Sequence, residues 1–115
     1  MNFNDLIFSL QIGVSLCKHF KHLGLDFAAC GAGTYPSLSN RDVHSSYRVI
    51  SKSGKYYYIY LQVAYLHDSA SHLRLSKVTS IVLYDFDTSK AVVKTHLDSL
   101  LDLKTFYAGI DTVLL

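Results

Sequence analysis

The chain is 115 residues long, 50% hydrophobic and 17% charged, with eleven Lys and Arg against nine acids for a net charge of +2. That is the size of one globular domain over residues 1–115, able to bury about two-thirds of its unfolded surface in one core without disulfide or metal staples. The composition excludes a disordered tail and a dedicated duplex binder, whose basic stripe is denser.

All nine acids are Asp; the chain has no Glu and no Trp. Helices therefore lack Glu–Lys pairs four residues apart, and any general acid or base is Asp, His, Lys, Tyr or Cys. Such a skew suits a small, fast-evolving or overlapping reading frame, as in a viral or phage accessory gene. Cys17 and Cys30 are too few for a disulfide framework. No basic residue precedes the apolar stretch 6–16, so no signal peptide is expected. The longest uncharged stretch, 6–17, is too short to span a bilayer. The expected setting is reducing and cytoplasmic, the host cytoplasm for a viral gene, with no membrane partner and no cofactor.

In chain order, residues 4–23 read as an amphipathic helix capped by Asn4. Leu6, Ile7, Leu10, Val14, Cys17 and Phe20 recur at helical spacing. Lys18, His19, Lys21 and His22 meet the negative end of the helix dipole, and Gly24 supplies a left-handed stop. Residues 25–46 look irregular, punctuated by Gly31, Gly33, Pro36 and the polar run 37–42. A loop of that length is unusual in a compact domain unless it is functional or hides a short strand near 27–29.

Strand character begins at Tyr47. Residues 47–51 form a strand, Lys52-Ser53-Gly54-Lys55 a tight hairpin turn, and 56–66 a long second strand rich in aromatic and branched side chains. After a turn at 67–71, a third strand runs over 72–86, with a bulge near Ser76-Lys77. Asp87-Thr88-Ser89 then offers caps for a closing helix over 89–107, with Val93, Leu97, Leu100, Leu101 and Tyr107 on its apolar face and Gly109 ending it. Residues 110–115 remain to pack as an edge strand. The sum is an α+β fold: an N-terminal helix, a three- to four-stranded antiparallel meander and a C-terminal helix, with both helices on one sheet face.

The most informative stretch is 52–65. Period-2 alternation puts Tyr57, Ile59, Leu61, Val63 and Tyr65 on a core face and Tyr56, Tyr58, Tyr60, Gln62 and Ala64 on the other. Three tyrosines in a row, with Arg48, Lys52 and Lys55 nearby, form a candidate binding surface. Tyr and Arg are the side chains enriched at protein interfaces. Rings flanked by cations also stack bases in sheet-based single-strand binders. Plain cross-strand pairing, with both faces buried, accounts for the same residues.

Asp85-Phe86-Asp87, after the apolar run 81–84, resembles the first motif of haloacid-dehalogenase-type phosphatases. The resemblance implies Asp85 as nucleophile, Asp87 as proton donor to the leaving group, and Mg²⁺. Only 28 residues follow Asp87, too few for that family's parallel-sheet core, and a strand end followed by a helix cap explains the same residues. Cys17, His19, His22 and Cys30 match no compact zinc module; they read as a buried thiol and dipole-complementing histidines. Gly31-Ala32-Gly33-Thr34 follows no convincing strand and is not a phosphate cradle. His44, His67, His72 and His96 include no pair that spacing singles out for acid–base work.

These readings converge on a small non-enzymatic module for protein–protein interaction or regulation, associating as a homodimer, with a protein partner, or both. The alternative is an RNA or single-stranded nucleic-acid binder using Tyr56, Tyr58 and Tyr60 with Lys52 and Lys55. A small hydrolase or nuclease is the third reading.

Overall fold

The computed structural model describes residues 3–35, 41–68 and 73–115, with side chains described over 7–30, 45–62 and 78–115. In chain order the elements are α1 (Phe3–Leu23), β1 (Phe27–Tyr35), β2 (Arg41–Ile50), β3 (Tyr56–Asp68), β4 (Leu73–Asp85), β5 (Ala91–His96), a 3₁₀ turn (Leu100–Asp102) and α2 (Leu103–Leu114). The five strands form one sheet in the order β1-β2-β3-β4-β5, each antiparallel to its neighbour. The architecture is α+β. Among the described residues, no helix is long and apolar enough to cross a membrane.

The sheet has five strands rather than three or four. Within the stretch 25–46, the short strand expected near 27–29 is the start of the longer β1, which pairs antiparallel with β2, while residues 36–40, with Pro36 and most of the polar run, lie outside the described residues. Small residues such as Ala28, Ala29, Gly31 and Gly33 give β1 a weak β signal, and the strand forms because β2 templates it through Phe27↔Val49 and Ala29↔Tyr47. The β3–β4 bulge lies at Thr79, where the register steps from Gln62↔Ser80 to Val63↔Val78, and not at Ser76-Lys77.

The largest departure concerns residues 89–115. Ala91–His96 is a strand, with Val93 packed on the core and Val92, Lys94 and His96 outward and exposed. Its branched residues favour the pleat, and Val93, Leu97, Leu100 and Leu101 only mimic a helical period. Ser89 sits at φ 55° in the β4–β5 connection and caps no helix. The true cap is Ser99, whose Oγ accepts from Leu101 N–H at 3.3 Å, while the Asp102 carboxylate accepts from Ser99 N–H at 3.0 Å. Gly109 lies inside α2. A Cβ there would stand 3.0 Å from Val93 Cγ1, so the glycine lets the helix approach β5. Residues 110–114 are helical, burying Ile110 and Leu114.

The core is the layer between the helices and one sheet face. Ile12, Leu16 and Phe20 of α1 and Leu103, Phe106, Ile110 and Leu114 of α2 meet Tyr47, Val49, Tyr57, Ile59, Leu61, Ile81 and Leu83. Both helices therefore cover the odd-numbered side of β3. On α1 the buried stripe is Ser9, Ile12, Leu16 and Phe20, whereas Ile7, Leu10, Val14 and Cys17 of the expected stripe are exposed. Gly24, at φ 71°, ends α1 in the left-handed region as the sequence implies.

Phe106 and Phe86 separate burial from composition, since one is fully buried and the other 55% exposed. Phe106→Ala is expected to cost about 3–5 kcal/mol in a urea melt, and Phe86→Ala no more than about 1 kcal/mol. Equal losses would mean that the two sheet faces are not as unequal as described.

Candidate functional site

On the even-numbered face of β3, three cross-strand rows define the surface. Arg48, Tyr58 and Tyr84 share one row, Ser46, Tyr60, Val82 and Lys94 the next, and Gln62, Ser80 and His96 a third. The rings connect into a strip. Tyr60 stacks on Tyr58 at 6.2 Å and meets Tyr84 edge-on at 5.2 Å. Tyr58 contacts Phe86 at 5.6 Å, and Phe86 contacts Tyr56 at 6.5 Å. Phe86 is fixed by its own backbone, which donates to Tyr56 O at 3.2 Å. Offset and edge-on geometries are the ones that aromatic quadrupoles favour.

Burial is graded along this strip. Tyr60 is 6% exposed, and Val82 beside it is fully buried. Ser80 Oγ donates to Gln62 Oε1 at 2.9 Å, and Gln62 Nε2 to Tyr84 Oη at 3.4 Å, which closes that end with satisfied polar groups. Toward the β2–β3 turn the face opens. Tyr58 and Tyr84 are half-buried, Tyr56 is 45% exposed and Phe86 55%. Val92, exposed at the β5 register shift, lies on the same side.

The cations named with the tyrosines do not all gather there. Arg48 lies across from Tyr58, its Nη2 on Asp26 Oδ1 at 3.0 Å. That hydrogen bond raises the guanidinium pKa further, keeping it charged. Lys52 is exposed in the hairpin turn, its backbone N–H donating to Leu114 O at 2.8 Å. Lys55 turns to the core side, with Nζ 2.6 Å from Asp85 Oδ2 and 5.6 Å from the Tyr57 ring centroid. Tyr56, Tyr58, Tyr60 and Arg48 thus share a face, and Lys55 does not. The sequence reading did not include Tyr84, Phe86 or Val92 in this surface. Tyr84 could have been found by assigning the β3–β4 register, whereas Phe86 depends on the turn after β4.

The acidic pair at the end of β4 is structural in its contacts. Asp85 receives Lys55, and its Oδ1 accepts from Asp87 N–H at 2.9 Å and Thr88 N–H at 3.3 Å, pinning the connection to β5. The sheet is antiparallel, unlike the parallel core that the phosphatase resemblance implies. Among the described residues no group of three or more His, Cys or Asp side chains could hold a metal ion. Cys17 is exposed, contrary to the buried thiol expected, because the core-facing stripe of α1 lies elsewhere.

His19 does more than complement the helix dipole. Its ring stacks on Tyr107 at 3.9 Å and 8°, and Nε2 lies 2.8 Å from Asp111 Oδ1. Ser15 Oγ is 2.6 Å from Tyr107 Oη. Burial raises the Tyr107 pKa. Two side chains four apart on α1 therefore clasp two that are four apart on α2. The spacing is present in the sequence, but reading 110–115 as a strand hid it. His96 forms an exposed pair with Asp98 at 3.0 Å. The side chains of His44, His67 and His72 lie outside the described residues. Compared with known proteins, the chain matches no family model, no curated protein and no solved structure.

The Lys55 hydrogen bond and the turn N–H groups hold the Asp85 carboxyl below the ordinary aspartate range. Asp102, accepting from the N–H groups of Asp98 and Ser99, is lowered in the same way. The unfolded chain then binds more protons in acid, so this stabilisation is complete above the ordinary aspartate pKa. It is lost as pH falls through the lower folded values. Urea midpoints followed from neutral pH to about pH 2 should decline less steeply in Asp85→Asn, from a lower neutral starting point. Parallel declines would show that Asp85 does not contribute to acid sensitivity.

Proposed function

We propose that the chain is a non-enzymatic protein-binding module whose contact surface is the open end of the sheet face opposite the helices. The observation that carries this reading is the connected strip of rings Tyr56, Phe86, Tyr58, Tyr60 and Tyr84, exposed at one end and anchored by buried Tyr60 at the other. Rigid aromatic side chains held by their neighbours lose little freedom when a partner covers them, and Tyr and Arg dominate interface hot spots. The Arg48–Asp26 pair supplies a polar rim beside Tyr58. The Glu-free composition suits a viral or phage accessory gene, so the partner on this reading is a host protein in the cytoplasm and the role regulatory.

Stacked rings also support single-stranded nucleic-acid binding as a second reading. The cations named with the tyrosines support it less, since Lys55 pairs with Asp85 on the other face and Arg48 with Asp26, which leaves Lys94, exposed in the Tyr60 row, to meet a phosphate.

Immobilised wild-type chain should capture a discrete partner from extract of the source or host cell. The double variant Tyr56→Ala, Phe86→Ala should lose that capture while keeping its fold by circular dichroism. Capture unchanged in the double variant would remove this face from the interface. A fluorescently labelled oligo-uridine should show no saturable micromolar binding. Binding that falls steeply with added salt and vanishes in Tyr58→Ala would turn the assignment to nucleic acid.

A further inference from the structure

A second apolar surface lies on α1, away from the aromatic face. Ile7, Leu10, Val14 and Cys17 succeed one another at spacings of three, four and three, the a/d pattern of a helix seam. They face away from the core: Ile7 is 38% exposed, Leu10 60% and Val14 55%, and Cys17 is exposed as well. The core already has its own stripe on the same helix, so this seam is surplus to the monomer.

Grooves flank the ridge on both sides. One, about 420 Å³, lies between α1 and β2 over Gly13 and Tyr47. The other, about 470 Å³, lies between α1 and Leu100. Gly13 deepens the first groove, since a Cβ there would come within 3.0 Å of Tyr47 Oη. Leu100, 40% exposed, and Leu101, 70% exposed, extend the apolar area beyond the helix. A ridge between two grooves is the shape that a like ridge can enter.

We propose that this side of α1 is the contact between two copies of the chain, packed antiparallel about a two-fold axis midway between Leu10 and Val14. Leu10 then meets Val14 of the partner subunit, and Ile7 meets Cys17 of the partner subunit. Area and charge single out a second copy. The exposed apolar side chains offer on the order of 500 Å² per copy, so two copies approach the roughly 1,000 Å² that a specific interface requires. A patch of that size is at the upper end of what soluble monomers leave uncovered.

Charge sets the direction. The acid on α1 is Asp5 in its first turns, whereas Lys18, His19, Lys21 and His22 crowd its C-terminal end. A parallel pair would set those basic ends side by side and align the helix dipoles. An antiparallel pair places each basic end beside the Asp5 end of its partner and opposes the dipoles. The isologous contact leaves the aromatic face of each copy uncovered, so this inference does not rest on the function proposed above.

Sedimentation and light scattering of the purified chain at micromolar concentration should give the dimer mass. Leu10→Asp, at an exposed position, should keep the circular dichroism spectrum and weaken the dimer at least about tenfold by seating a charge in the seam. Tyr56→Ala should leave the dimer unchanged. In a Cys30→Ser background, Ile7→Cys should form a covalent dimer through Cys17 on mild oxidation, and the parent with Cys17 alone should not. A monomer throughout the micromolar range would overturn the proposal, as would a dimer indifferent to Leu10→Asp. Cross-linking of the parent through Cys17 would overturn the antiparallel arrangement. A dimer lost in Tyr56→Ala but not in Leu10→Asp would move self-association to the sheet.

Discussion

A pleated strand sends successive side chains to opposite faces, and in β3 both sets are apolar or aromatic. Tyr57, Ile59 and Leu61 turn one way, Tyr56, Tyr58 and Tyr60 the other. Two helices are available, and the layer formed by Phe20, Phe106, Ile110 and the odd-numbered side of β3 uses both. The second face must manage with what the strands themselves provide. Rings laid against one another and the Ser80–Gln62–Tyr84 hydrogen bonds cover half of it. The remainder, around Tyr56 and Phe86, stays exposed.

The polar groups are mostly committed to holding this arrangement. Asp85 ties Lys55 to the β4–β5 connection, Asp102 caps the helical entry, Asp111 takes His19, and Asp26 takes Arg48. Among the described residues, these short Asp side chains reach spatially adjacent partners, and Asp85 and Asp102 also take backbone N–H groups of the turns beside them. That pattern is one of joints and corners.

Where local chemistry is decisive, the sequence was readable. The left-handed Gly24 stop, the 52–55 turn and the alternation of β3 all follow from short-range rules, and with them the α+β meander and the helices on one face. What escaped reading depends on partners distant in the chain. α1 carries two apolar stripes, and Ile7, Leu10 and Val14 look as good as Ile12, Leu16 and Phe20. The choice rests on Ser9 and Gly13, small enough to sit against the sheet. β1 has little intrinsic preference and exists through β2. Residues 91–96 fit a helical period as well as a pleated one until β4 is there to pair with them. The aromatic strip was legible on β3, but its continuation through Tyr84 and Phe86 depends on the β3–β4 register, and its graded burial on how the rings pack against one another.

The meander has a further consequence for how the molecule comes together. Every strand pairs with its immediate neighbour in the chain, so hairpins can zip as they appear, with small loops to close. The two helices are different: they flank the whole sheet in sequence yet meet over it through Ser15 with Tyr107 and His19 with Asp111. During synthesis, the part of the sheet that α2 covers, Val93 of β5 within it, stays open until α2 has followed β5 out of the ribosome. The interval before that helix arrives exposes a nascent copy to chaperone capture, proteolysis or misassembly.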